Sequence, residues 1–265
     1  MKKELMDQFR RGSVLMFCVS RMFCAASLGL AIFCSDAVTA REINISLGAK
    51  YSSNLSKRGM TLYDSHQVIP IYAIDFGSPD FVIVGSGLYF RHDVNENVRF
   101  RSILLANATG DQPLYETGGV KAAAARSMTH EWDNVVELSH PDRGEISVAL
   151  SQDLKAHRGR YLQVGSRVIL GRPMVGSATL EPALFGFVGG GTESHNRYLY
   201  GANAVDGLAH YEYGVSLSLP PNIDRYFPVL AVKRFGILGA ENKGAELVQR
   251  TSNTQFVALF AFKVI

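Results

Sequence analysis

Three fragments of this 265-residue chain carry side chains of the kind that do chemistry. Ser194-His195-Asn196 sets a hydroxyl, an imidazole and an amide side by side, and His210 with Glu212 puts a base and an acid on one face of an extended segment. Lipases and lipid-A deacylases built on membrane barrels use a Ser, a His and an acidic or amide partner, because a hydroxyl needs a base in hydrogen-bond reach to become a nucleophile. Spacing alone does not bring Ser194, His195, His210 and Glu212 into such reach, so no catalytic residue is assigned and the expectation is a protein that is not an enzyme. The third fragment, His130-Glu131, would open a zinc-binding H-E-x-x-H only with a second His at 134, where the chain has Asn134. The other histidines (His66, His92, His140, His157, His195 and His210) fall without the short spacings of metal sites and read as solvated loop residues.

Gly85-Ser86-Gly87 follows the apolar run Phe81 to Val84 and superficially matches a phosphate-binding loop. A dinucleotide loop needs a third glycine and a helix behind it, and Phe90 occupies that third position. The glycines are therefore expected to be lumen-facing or close-packed strand positions. No metal, cofactor or nucleotide site is expected.

Charge excludes a second group of partners. An N-terminal segment, residues 1–40, has a basic stretch (Lys2, Lys3, Arg10, Arg11), an apolar stretch from Val14 to Cys34 and the small-residue exit Ala37-Val38-Thr39-Ala40, the layout of a cleaved signal peptide. Arg21 interrupts the apolar stretch and makes Met16 or Met22 an alternative start. Removing residues 1–40 takes five of the 27 basic and three of the 24 acidic residues, leaving 22 against 21. So even a balance recruits neither nucleic acid nor an anionic lipid surface. Cys18, Cys24 and Cys34 all lie before the cleavage point, so residues 41–265 hold no disulfide and no thiol chemistry.

The elements that carry these residues are strands. Hydrophobic residues make up 47% of the chain, yet no 18-residue apolar run follows position 40, which excludes helical spans there. Instead, segments of about ten residues alternate with period two, the length and pattern of a tilted strand between lipid and a wet lumen. Ile43, Ile45, Leu47, Ala49 and Tyr51 oppose Glu42, Asn44, Ser46, Gly48 and Lys50. Ile146, Val148 and Leu150 oppose Glu145, Ser147, Ala149 and Ser151, and Tyr211, Tyr213, Val215 and Leu217 oppose His210, Glu212, Gly214, Ser216 and Ser218. Weaker copies occupy 67–75, 80–90, 98–107, 131–139, 160–170, 177–188, 225–235 and 254–264, with short candidates at 195–200 and 245–250. Together they predict one outer-membrane domain over 41–265, an antiparallel up-and-down β-barrel of 12 strands, or 10 if the short candidates fail. A periplasmic β-sandwich or lipocalin-like barrel is the soluble alternative.

Polar connectors of unequal length separate the segments: Ser52 to Ser65, Thr109 to Thr129 and Gly189 to Asn203 are long, and Ser139-His140-Pro141-Asp142-Arg143-Gly144 is a tight turn. Lys121 to Arg126 would allow a helical turn within a loop. Aromatics near segment ends, among them Tyr51, Tyr89, Trp132, Tyr161 and Tyr226, fit the girdles at a membrane interface. Glu42, Lys50, Glu145, Asp153, Arg167, Glu212 and Lys233 are expected to point inward and line a polar lumen.

Read in order, these strands resemble the MipA/OmpV family of outer-membrane proteins, the MltA-interacting proteins. The resemblance rests on Ser46-Leu47-Gly48-Ala49, on the proline-bearing strand Val68 to Ile74, on Phe81 to Tyr89, on Gly144-Glu145-Ile146 leading to Leu150-Ser151-Gln152-Asp153-Leu154, and on Asn253 to Ile265. It implies a non-enzymatic scaffold at the cell envelope, in contact with outer-membrane lipid and with murein hydrolase and synthase proteins. The alternative from the residues alone is a small-solute pore. Two departures stand out: Ser52-Ser53-Asn54-Leu55-Ser56 replaces the family's Gly-Ser-Asp turn, and Ile265 ends the chain out of parity with Phe256, Phe260 and Phe262, which leaves the register of the last strand open.

Overall fold

In the computed structural model, residues 43–75, 81–107, 129–176, 178–219 and 228–264 are described. The expected signal segment with its three cysteines, the helical turn at Lys121 to Arg126, Glu42, Tyr226 and Ile265 lie outside them.

Alternation writes the strands, and twelve of them close on one another. In chain order the barrel strands are β1 (Asn44–Ser52), β4 (Gln67–Asp75), β5 (Phe81–Val84), β6 (Gly87–Asp93), β7 (Val98–Asn107), β8 (Thr129–His140), β9 (Gly144–Asp153), β10 (Arg160–Ile169), β13 (Glu181–Gly191), β14 (Gly207–Ser218), β15 (Val229–Ile237) and β16 (Ser252–Lys263). Each pairs antiparallel with its neighbours, and β1 pairs with both β4 and β16, so the sheet has no free edge strand. Two further hairpins, β2 (Leu55–Lys57) with β3 (Met60–Tyr63) and β11 (Met174–Val175) with β12 (Ala178–Thr179), sit in connections. Among the described residues two short helices, α1 (Glu193–Tyr200) and α2 (Ala240–Lys243), occupy two more.

Leu47, Tyr72, Leu88, Leu104, Val148, Val164, Leu184, Val215, Val232 and Phe260 point outward and are exposed. An apolar exterior on a sheet closed on itself is the solution a bilayer imposes on β-structure, and it is the build of outer-membrane barrels. No described helix is long and apolar enough to cross a membrane. Phe260 pairs with Ala49 and Phe262 with Leu47, and Phe256, Phe260, Phe262 and Val264 are exposed together, so the aromatic parity of β16 is the lipid-facing one.

The twelfth strand does not come from the short candidates. Segment 195–200 is helical and 245–250 is irregular, while the expected single strand 80–90 is two. Gly85 and Ser86 form the turn between β5 and β6, with Gly85 at φ 54° and open space where a side chain would sit. The glycine that looked close-packed is there for a left-handed turn. β5 is so short that it pairs with β4 only over Ala73 to Asp75. Pro70 therefore lies on a stretch of β4 bordered by β1 alone among the described strands, where a missing N–H costs no ladder bond.

Connections on one rim (53–66, 85–86, 108–128, 154–159, 192–206 and 238–251) are mostly longer than those on the other (76–80, 94–97, 141–143, 170–180 and 219–228). We call these the loop rim and the turn rim. The expected turn at Pro141 to Gly144 is of the second kind, with Gly144 at φ 113°. The fully buried apolar cluster lies at the loop rim, where Met60, Leu62, Leu199, Tyr200, Ala204, Ala209, Ile237 and Ala245 pack the β2–β3 hairpin, α1 and the segment that follows α2 together.

Candidate functional site

The loop-rim half of the lumen is filled by a part of the chain that reads as a polar connector. Residues 53–66 fold inward as the β2–β3 hairpin, anchored on β16 by Asn54 Nδ2 donating to Thr254 O at 2.8 Å and by Ser56 Oγ donating to Gln255 at 3.2 Å. Its tip is Arg58-Gly59, with φ 47° and 81°. Gly59 is required there, because a side chain would strike His210 and the backbone of Gly236.

From this tip Arg58 reaches across the lumen. Strand β8 lies on the far side of the barrel from β1 and β16, and its inward Glu131 receives Arg58 Nη1 at 3.2 Å and Nη2 at 2.9 Å. Lys57 Nζ donates to the same carboxylate at 3.1 Å. The guanidinium lies over the Tyr161 ring, 4.2 Å from its centre, and Tyr200 Oη donates to the Arg58 carbonyl at 2.7 Å. Arg58 Nη1 is also 2.7 Å from His195 Nε2. Arginine has no acceptor, so Nε2 must be the unprotonated nitrogen of a neutral ring, and Nδ1 donates to Asn196 Oδ1 at 2.9 Å. Burial, and then the Arg58 charge, hold the His195 pKa well below its ordinary value, which agrees with that tautomer. For Arg58 itself burial is the largest single influence and opposes the charge, but attraction and hydrogen bonding to Glu131, together with the nearby Tyr161 and Asp133, outweigh it and the pKa ends raised.

The histidines that look scattered in the sequence gather around this latch. His157 lies 5.5 Å from His195 and 4.5 Å from Tyr198, ring centre to ring centre, and Tyr161 Oη is 2.7 Å from His210 Nδ1. Burial lowers the His157 pKa as well. Asp153 holds the turn that places His157, accepting from the backbone N–H groups of His157 at 2.7 Å and Arg158 at 2.8 Å. His195 and His210 are buried, not solvated. Tyr161 points inward and is buried, not in an interface girdle.

The catalytic fragments do not assemble. Ser194 Oγ pairs with Thr192 Oγ1, His195 serves the latch, and Glu212 accepts from Lys233 Nζ at 2.7 Å while His210 faces Tyr161. Among the described residues no serine hydroxyl is hydrogen-bonded to a histidine, and no group of three or more His, Asp or Glu is placed to hold a metal. His130 and Glu131 point to opposite faces of β8, as adjacent strand residues must. Ser194-His195-Asn196 is helical, on α1.

Toward the turn rim the lumen is lined by charged side chains, and several of its arginines stay partly exposed. The inward row of β6 to β8 holds Arg91, Asp93, Arg99, Arg101 and Glu137. Asp93 accepts from Arg91 at 2.6 Å and Arg99 at 2.7 Å, and Glu137 accepts from Arg101. Arg167 pairs with Glu181 at 2.8 Å, and Arg172 bridges Glu181 and Asp142. Arg91, Arg99 and Arg101 keep 42%, 35% and 35% of their side-chain surface exposed, against 12% for Arg58. Between the halves, Phe185 and Phe187 pack inward over Gly165 and Gly214, whose missing side chains leave room for the rings. The inward placement expected for Lys50, Glu145, Asp153, Arg167, Glu212 and Lys233 follows from the pairing register. Arg58, the residue that organises the loop-rim half, gave no sequence signal beyond lying before a glycine.

No protein-family model and no curated protein matches the chain. Among solved structures it is similar to the NanC porin (9% identity, TM-score 0.42, covering 83% of this chain and 100% of that one). It is also similar to the outer membrane channel DcaP of Acinetobacter baumannii (8%, 0.34, 84% and 96%) and to the outer membrane protein OprG from Pseudomonas aeruginosa (12%, 0.21, 84% and 96%). The closed barrel rests on the strand pairing itself.

Proposed function

We propose that this outer-membrane barrel is a small-solute pore whose outer mouth is held shut by the Arg58 latch. The observation that carries the reading is the exposure of Arg91, Arg99 and Arg101 on the inward strand faces, since guanidinia in a packed core would be buried. Barrels of this kind set their long loops outside the cell and their short turns in the periplasm, so the wet half opens inward and the latched half faces out.

The latch suits a gate. A buried ion pair is little or no more stabilising than apolar residues of the same volume, because desolvation offsets the attraction. A plug meant only to fill space has no need of Arg58, Lys57 and Glu131. Charged partners, by contrast, can separate into water when the hairpin swings out. In planar bilayers the native protein should show small or rare conductance steps, and Arg58→Ala should show larger and longer ones. Silence from both proteins would end the pore reading.

The second reading is the scaffold implied by the MipA/OmpV resemblance. Murein enzymes work on the periplasmic side, so their contact surface would be the turn rim and not the loops. The observation that favours it is the β11–β12 hairpin there, with Leu170, Met174 and Val175 more than half exposed at 59%, 72% and 61%. Deleting residues 172–179 should abolish co-purification with a lytic transglycosylase, and unchanged co-purification would exclude this surface.

A further inference from the structure

We infer that the outer wall of the barrel, at the turn rim, holds a site for one anionic phospholipid, its phosphate on Arg143 and His140 and its acyl chains in the groove beside them. The site depends on the barrel lying in the outer membrane and not on whether the lumen conducts. A groove of about 340 Å³ crosses β7 to β10 there, lined by Val98, Leu138, Gly144, Ile146, Ser166 and Val168. These positions alternate onto the lipid-facing side, and Leu138, Ile146 and Val168 are exposed. Val98 stands opposite Leu138, Leu138 opposite Ile146, and Ile146 opposite Ser166, so the row falls from branched side chains to a short one. Gly144, opposite both His140 and Val168, adds no side chain to fill the step. Clefts of this size hold ligands.

The polar end of the groove is the turn 141–143. Arg143 lines the groove and is exposed, and its guanidinium has no partner among the described residues. Its backbone is fixed, with the N–H donating to His140 O at 3.1 Å and the carbonyl accepting from the Ile169 N–H at 3.1 Å. His140 Nδ1 accepts from the Asp142 N–H at 3.2 Å, so Nε2 carries the proton and is left to donate. The neighbouring charges are engaged or turned away. Arg172 holds both Asp142 and Glu181, and Glu145 and Arg167 border the groove from positions that alternate to the inward face. A phosphate therefore meets a guanidinium and an imidazole N–H, whereas a headgroup ammonium meets no carboxylate among the lining residues that face outward. Short turns of such barrels lie on the periplasmic side, so the lipid belongs to that leaflet. The even charge balance of residues 41–265 draws no anionic lipid in bulk, and one unpartnered arginine beside an apolar groove makes a local site.

The test is native mass spectrometry of the purified full chain in detergent, titrated with dioleoylphosphatidylglycerol, dioleoylphosphatidylethanolamine and glycerol phosphate. One phosphatidylglycerol per chain should be retained in preference to phosphatidylethanolamine, and glycerol phosphate, which has the anion without the chains, should not be retained. Arg143→Gln should weaken phosphatidylglycerol about tenfold, the worth of one charge-assisted hydrogen bond, and bring it level with phosphatidylethanolamine. His140→Ala should weaken it less, and Lys155→Gln, at an exposed lysine of the loop rim, should leave it unchanged. Heat-modifiable gel migration checks that each variant folds, and the comparison of the two lipids on the native chain stands without any variant. Equal retention of the two lipids, retention unchanged in Arg143→Gln, an equal loss in Lys155→Gln, or glycerol phosphate bound as tightly as the lipid would overturn the site.

Discussion

The two halves of the lumen use the same residue types to opposite ends. In the loop-rim half, Glu131 is buried and Arg58 largely so, and the two are tied through two hydrogen bonds and walled by Tyr161, His195 and Tyr200. In the turn-rim half, Arg99 and Glu137 stand on facing strands at 3.8 Å with the arginine partly exposed. A charged pair is a lock where water is shut out and a lining where water is let in, and what decides is the hairpin that covers one half. The same Arg-to-carboxylate chemistry should therefore respond very differently to substitution.

Glu131→Ala is the largest test of that contrast. It takes the carboxylate away from Arg58 in a dry site and should cost about 3–5 kcal/mol in urea unfolding from lipid vesicles. Replacing Arg58 and Glu131 together by Met and Leu should recover most of the loss, and if it does not, the pair is more than a buried lock. Gly59→Val comes next, at about 1–3 kcal/mol, because its side chain would overpack against His210 and the Gly236 backbone at a left-handed position. Limited proteolysis at 53–66 should rise with it.

Acid should loosen the loop-rim half alone. His195 and His157 have pKa values lowered by burial in the fold, so the unfolded chain binds protons first as pH falls. Their contribution is whole above the ordinary value of 6.5 and is lost as pH drops below it. Protection factors against hydrogen exchange, corrected for the intrinsic pH dependence of the amide rate, should then fall at pH 5 relative to pH 7.5 in 53–66 and 192–206 and stay unchanged in β6 and β7. Smallest of all is Arg99→Gln, below about 1 kcal/mol, since a solvated pair holds little stability. A loss as large as that of Glu131→Ala would erase the distinction between the halves.

The fold was legible where one face meets lipid. Alternation in β1, β9 and β14 needs only the local chain, and the inward charges followed from it. Strand β8 was legible too, but its partner was not. Glu131 finds Arg58 across the lumen, 73 residues away in sequence, and a contact of that kind leaves no periodic trace. His157, His195 and His210 are gathered by three different connections and strands, so their spacing carried no metal or catalytic signature. The split of 80–90 at Gly85 was written in Gly-Ser-Gly, yet an apolar run on both sides hid the turn.

The short β5–β6 hairpin beside Pro70 gives the barrel a seam. A closed cylinder shares lateral tension equally among its hydrogen-bonded rows, and here one row is a stub of three paired positions, Ala73 to Asp75 against Val82 to Val84. Pulled sideways by a thickening or stretching bilayer, the wall should part there first, between β4 and β5, long before the nine-residue ladder that joins β1 to β4 gives way.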